Sequence, residues 1–275
     1  LVLAAAAEGW RTEASLWSDG IDEADLGARP FARLSFSAAP AADPDGLAAQ
    51  ILARRSAKVP FEAGRALESG HAAALHAVHG DGDIGLTVTS APETVARLRD
   101  IAKQAFRIEV DTDRTYRESV ELMRIGADEI AAHRDGLAMH GPFFWWLKRF
   151  GLLSVEEQMR RGSTARDTAR SILDADAAST STFAWLTTAA NTREMQLRAG
   201  RAYVRLNLVA ARAGAAMAPW SQVLQEYPEM AALQRTFKGV AGAADGETVQ
   251  MFFRLGYAAP PPPTPRRPLD AIVRA

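Results

Sequence analysis

The stretch APPPPTPRRP at residues 259–268 constrains this chain more than any other. Proline locks φ and removes a backbone donor, so such a run can be neither helix nor sheet interior and must form an extended arm. Thr248 to Leu255 reads as the last strand, so the chain leaves its sheet almost directly into that arm. The arm ends in a basic pair, Arg266-Arg267, followed by Pro268-Leu269. A second short basic cluster, Ala53-Arg54-Arg55-Ser56-Ala57-Lys58, lies far earlier, beside backbone that should not be helical.

Two basic clusters so distant in sequence point to a fold that gathers both segments around one phosphate. Composition narrows the partner. The chain carries 32 basic against 33 acidic side chains, a formal net charge of -1, which excludes nucleic acid as the main partner because that requires a strongly positive face. With 275 residues, 48% of them hydrophobic, it can bury a full core in one large domain or two smaller ones. Cysteine is absent, which rules out disulfides, thiolate metal sites and thiol catalysis. No apolar run approaches the roughly 20 residues that span a bilayer, so no membrane partner is expected. The opening LVLAAAAEGW lacks a basic segment ahead of it and is expected to enter a folded protein partway through a helix, with the cytoplasm as its location.

Helices outnumber strands, and the strands are scattered between them, so the fold class is α+β. Strands are expected at Arg11 to Trp17, Phe31 to Ser37, Ile84 to Thr89 and Thr182 to Thr188. Residues 38–46, rich in Pro and Asp, form a linker, with Asp43 or Asp45 placed to cap a helix ending at Arg54. Helices are expected at 64–79, over most of 91–135, at 154–178 and at 191–214, the last with Leu197, Ala199, Val204, Leu208 and Ala211 on its apolar side. LAAAAEG (3–9) and LVAARAG (208–214) echo one another, each leading into a short extended stretch.

Several constellations can be weighed. Gly80-Asp81-Gly82-Asp83-Ile84-Gly85 satisfies G-x-G-x-x-G, but a helix precedes it, a strand follows and two aspartates would repel phosphate, so it is read as a helix-to-strand turn. His71, His76 and His79 share one helix, with Glu68 nearby; no spacing supplies convergent ligands from other elements, so they are read as solvent-facing and no metal is expected. No G-x-S-x-G elbow marks a nucleophile. The aromatic run PFFWWLKRFGLL (142–153) allows core or domain-interface packing, a lid over a planar ring, or membrane-surface docking. ARRSAKVPFE (53–62) suits a phosphate monoester through guanidinium, hydroxyl and backbone N–H groups, or is a charged helix terminus complementing the helix dipole.

ARRSAKVPFE resembles the FMN-phosphate loop of the nitroreductase superfamily, R-[RH]-S-x-[RK] followed shortly by an aromatic residue. FFRLGYAAPPPPTPRRPLDAIV (252–273) resembles that superfamily's closing segment, and residues 183–222 are similar to its central helix and the loop beside the flavin ring. Three motifs in the same order, over roughly residues 45–275, resemble most closely the double-length Acg-type members, in which one chain holds two nitroreductase-like halves.

The resemblance implies a nitroreductase-like α+β fold, a mixed or antiparallel sheet flanked by helices, forming the second half of a pseudo-dimeric chain. Residues 1–40 would be the tail of a first half and 41–275 the second. FMN is the implied cofactor. Arg54 and Ser56 would hold its phosphate, with Arg55 contributing mainly backbone, and Lys58 would stand at the N1/O2 edge of the ring, where a cation stabilises the charge of reduced flavin. Arg267, or its neighbour Arg266, would return to the phosphate from the C-terminus; Pro219, Trp220, Ser221 and Gln222 would lie near N5. The implied activity is hydride transfer from NAD(P)H to a nitroaromatic or quinone-type acceptor, with no catalytic acid or base; the alternative is a flavin-sequestering protein without turnover. The superfamily's P-S-x-x-N-x-Q-P-W segment is absent, so one wall of the pocket would come from a missing first half or a homodimer partner.

Overall fold

The computed structural model describes residues 1–17, 20, 27, 29–78 and 81–273. In chain order the elements are α1 (Val2–Ala7), β1 (Trp10–Leu16), β2 (Ala32–Ala38), a 3-10 turn (Ala48–Gln50), α2 (Ser69–Val78), β3 (Gly85–Thr89), α3 (Pro92–Asp111), α4 (Asp113–Glu121), β4 (Met123–Ile125), α5 (Ala127–Ala132), β5 (Leu137–Met139) and α6 (Pro142–Arg149). There follow α7 (Val155–Met159), α8 (Thr164–Ser179), β6 (Thr182–Thr188), α9 (Arg193–Arg212), β7 (Ala216–Pro219), α10 (Ala231–Ala241) and β8 (Thr248–Gly256).

The core is built on β6 and β8, whose side chains are buried on both faces. Successive strand residues point to opposite faces. Phe183, Trp185 and Phe252 therefore pack with α3, α8 and α10, while Ala184, Leu186, Phe253 and Leu255 pack with α2 and α9. The sheet has the order β3-β6-β8-β7, every pair antiparallel, with Trp185 opposite Phe252 and Phe183 opposite Arg254. Helices thus cover both sides of one antiparallel sheet. Ser163 and Thr192 start α8 and α9 by accepting the N–H groups of Arg166 and Met195, as N-cap hydroxyls do.

Several sequence expectations need correction. The helix expected to end at Arg54 is only the 3-10 turn, capped by Asp43, whose carboxylate accepts from the N–H groups of Leu47 at 2.9 Å and Ala48 at 3.1 Å. The helix expected from residue 64 begins at Ser69. Its expected first turn is held open from outside: the N–H of Leu67 donates to Thr182 Oγ1 at 2.9 Å, and that of Glu68, which would close the turn, to the Tyr257 hydroxyl at 3.3 Å. The polar helix expected at 154–178 is broken between Met159 and Thr164. On α9, Val204 is 51% exposed, and the buried set is Ala199, Ala202, Leu206 and Asn207 to Ala210. His71 is half-buried, its Nδ1 3.0 Å from the Tyr257 hydroxyl; His79 and Gly80 lie outside the described residues.

The N-terminal echo has a structural counterpart. After α1, Gly9 takes φ +82° and its N–H meets the Ala6 carbonyl at 3.1 Å; after α9, Gly214 takes φ +68° and its N–H meets the Ala211 carbonyl at 3.1 Å. Each glycine leads into a strand with an antiparallel partner, β1 with β2 and β7 with β8, and each partner runs on into a proline-containing segment. The settings differ. β7 and β8 are buried in the main sheet, whereas β1 and β2 form their own two-stranded sheet, exposed on both faces.

Candidate functional site

The segment 54–61 runs along the end of the main sheet, and short-range chemistry holds it there. The Ala57 N–H donates to the Met217 carbonyl on β7 at 3.0 Å, and the Phe61 N–H donates to Ser179 Oγ at 2.9 Å. Ala57 and Phe61 are buried with Ala216 and Ala218 in a small cluster of their own. Phe61 sits so close to the end of β8 that a Cβ at Gly256 would lie 2.7 Å from its ring; only glycine leaves that space.

Arg254 completes the clamp. Its side chain is 2% exposed, reaches out of β8 and donates to the carbonyls of Ala57 at 3.2 Å and Val59 at 2.9 Å. The same guanidinium pairs with Asp176 at 2.9 Å and lies over the rings of Phe61 at 4.1 Å and Trp220 at 4.9 Å. Burial pulls both ionised partners toward neutrality, lowering the Arg254 pKa and raising that of Asp176, and their mutual attraction opposes it. A buried charge without a partner is strongly unfavourable, so this pair and the loop carbonyls it binds stand or fall together. Sequence reasoning missed Arg254; the available signal was a lone charge inside the apolar strand FFRLG.

On this clamped loop the polar side chains are unused. Among the described residues, no hydrogen bond or ion pair holds the guanidinium of Arg54, the hydroxyl of Ser56 or the ammonium of Lys58. Arg54 stands near Tyr203 of α9, whose hydroxyl burial keeps above its usual pKa and whose rise the guanidinium partly offsets. Lys58 is surface-accessible, yet the protein crowding its ammonium lowers its pKa. Arg55 behaves differently: its Nη1 folds back onto the carbonyls of Leu52, Ala53 and Arg54 at 2.8 to 2.9 Å.

Pro219 ends β7 beside this loop, and Trp220 to Gln222 follow it. Pro219 is half-buried, and Trp220 turns its ring into the core beside Phe183 while its main-chain N–H donates to the Phe252 carbonyl at 2.8 Å. Ser221 Oγ donates to the same carbonyl at 3.1 Å, and the Gln222 side chain lies beside Glu109 of α3. What this segment offers a ligand is therefore Pro219 and main chain rather than the other three side chains. Arg267 binds Asp135 at 2.6 Å, and Asp135 also takes Arg124 at 3.1 Å. Arg266 is exposed and, among the described residues, forms no ion pair. No hydrogen bond joins either arginine to residues 54–58.

The other motifs resolve into local structure. Asp81 and Asp83 both pair with Arg198 of α9, at 2.5 and 2.6 Å. The 142–153 run does not pack into the core: α6 buries no residue, and Phe143, Trp145, Trp146 and Phe150 are all about half exposed or more, with Trp146 stacked on Phe150. Among the described residues no helix is long and apolar enough to cross a membrane, and no group of His, Asp or Glu is placed to hold a metal.

No protein-family model and no curated protein sequence matches the chain. Solved structures do. The FMN-dependent nitroreductase NfnB from Mycobacterium smegmatis, crystallised with NADPH, superposes with a TM-score of 0.51 at 17% identity, covering 85% of this chain and 99% of its own. The FMN and NADPH-dependent nitroreductase NfnB from Sphigopyxis sp. strain HMH gives 0.51 at 15% identity, over 83% and 98%. The fold is nitroreductase-like.

Proposed function

We propose that this chain binds FMN on the 54–58 loop and works as an NAD(P)H oxidoreductase acting on nitroaromatic or quinone-type acceptors. One observation carries the proposal: Arg54, Ser56 and Lys58 present unpaired donors on a loop that a buried ion pair holds in place. That donor set fits a phosphate monoester, which carries a charge near -2 at neutral pH and accepts charge-assisted hydrogen bonds. FMN, when bound, supplies two-electron hydride exchange, so the chain itself needs no acid or base.

The protein's task is then placement. Arg54 and Ser56 take the phosphate, and Arg55, whose guanidinium is spent on its own carbonyls, shapes the loop. Lys58 is assigned to the ring edge where charge develops on reduction; a nearby anion would restore the pKa that crowding lowers. Pro219 and the main chain of 220–222 form a floor for the ring. Arg266 and Arg267 join the site only if the arm swings from Asp135, so their part is secondary. A cytoplasmic location, where NAD(P)H is supplied, is part of this reading.

We further assign residues 1–40 as a repeat of the α9–β7–β8 unit, the remnant of a first nitroreductase-like half, with 41–275 as the second. Matching glycine turns and strand pairings support this. A first half of that kind, or a second copy of the chain, would complete the wall of the flavin pocket. An anaerobic visible spectrum tests the function. Flavin colour bleached by NAD(P)H and restored by a nitroaromatic or quinone supports it. Colour that resists NAD(P)H points to flavin sequestration, and failure to take up added FMN overturns the site.

A further inference from the structure

A cavity of about 330 Å³ opens between β4, α6 and α7, and none of its lining residues belongs to the 54–58 loop, β7 or the C-terminal arm. Its walls are mostly apolar: Val120 of α4, Met123 and Ile125 of β4, Leu153 of the turn after α6, and Val155 of α7. Such a volume is at the small end for ligand pockets, and it exceeds the about 150 Å³ that accepts a benzene ring.

The polar groups differ from one end to the other. At the mouth, Lys148 and Glu129 are partly exposed and form an ion pair. Both are spent. Lys148 Nζ also donates to the Ile125 carbonyl at 3.1 Å, and Glu129 Oε2 accepts the Ile125 N–H at 2.7 Å. The lysine holds the Glu129 carboxyl below its usual pKa, so the pair stays ionised and neutral overall. Ser154 Oγ is occupied too, accepting the Glu157 N–H at 3.2 Å and bonding the Glu156 carboxylate.

At the buried end stands Gln158, only 4% exposed. Its Nε2 donates to the Leu153 carbonyl at 3.0 Å. A carbonyl can only accept, so this bond fixes which way the amide is turned. Oε1 therefore faces away from Leu153, and among the described residues no donor reaches it. It is not sealed in the packing either, so the space it meets is the cavity that Gln158 lines. A water there would find one acceptor among apolar walls, short of the roughly two to four polar partners that hold a buried water.

These groups select a neutral ligand with an apolar body and one hydrogen-bond donor. Met123 favours an aromatic body, because a thioether sulfur packs well against a ring. We propose that this cavity binds a single-ring phenol, with its hydroxyl donating to Gln158 Oε1 and its ring held among Met123, Ile125, Leu153 and Val155. The proposal is independent of the flavin assignment.

Calorimetric titration of the purified chain with phenol and anisole tests it. Phenol should bind saturably. Anisole keeps the ring but has no donor, so it should bind at least about tenfold more weakly, leaving a buried acceptor unpaired. Gln158→Met conserves volume and removes the acceptor, and should weaken phenol by a similar factor. Val155→Phe, at a position 37% exposed with no hydrogen-bonding side chain, should fill the cavity and abolish binding. Saturating FMN should not displace phenol. Absence of saturable phenol binding to the wild type overturns the proposal, as does anisole binding as tight as phenol or phenol binding that survives Val155→Phe. Displacement by FMN would put the phenol at the flavin site and overturn it equally.

Discussion

The loop at residues 54–61 is fixed by a buried guanidinium, a main-chain bond to β7 and an aromatic ring packed onto Gly256. The arm at 259–268 carries the same kind of basic side chains, yet Arg267 is tied to Asp135 on the surface and Arg266 is exposed. Equal charge does not make equal sites. A guanidinium on a clamped loop is already placed for its ligand, whereas one on an arm must first break its ion pair and be ordered.

The contrast can be broken most decisively at Arg254. Arg254→Leu leaves Asp176 buried and unpaired and strips the loop carbonyls, so urea unfolding should show a loss of about 3–5 kcal/mol. Arg254→Leu with Asp176→Leu should recover much of it. A single variant as stable as the wild type would remove the clamp from the account. Next, Arg54→Ala should weaken FMN binding by about 1.5–3 kcal/mol in a fluorescence titration, with the unfolding midpoint unchanged. Arg267→Ala should cost less FMN affinity than Arg54→Ala. Equal and non-additive losses would show instead that the arm leaves Asp135 to share the phosphate.

Lys58 gives the smallest effect. Its pKa is lowered in the folded state by crowding, so above that value the unfolded chain binds more protons than the folded one. Stability should therefore rise with pH from the depressed pKa up to the ordinary lysine value of about 10.4. Lys58→Met should abolish that rise in urea unfolding curves taken across the alkaline range. Saturating FMN should also diminish it, if the ammonium then faces an anion.

What the sequence disclosed follows from the physics of each signal. β6 and β8 were legible because runs such as TFAWLTT and QMFFRLG are too apolar and too short to be anything but buried strands. The non-helical setting of Arg54, Ser56 and Lys58 was legible because these residues cluster beside a break in helicity. The first turn expected of α2 was not, since its N–H groups are claimed by Tyr257 and Thr182, more than a hundred residues away in sequence. The clamp was hidden for a related reason: Arg254 and Asp176 become partners only once β8 and α8 meet. Local pattern likewise could not reveal that α6 would keep its aromatic residues at the surface, because an apolar run reads the same whether covered or bare.

Phosphate recognition by the clamped loop is the claim on which the functional account turns, and comparing two flavins measures it directly. FMN and riboflavin share a ring and differ by the phosphate alone. Titrated side by side by fluorescence quenching, FMN should bind at least about tenfold tighter than riboflavin, a margin that Arg54→Ala largely removes. Equal affinity of the wild-type chain for the two would contradict it.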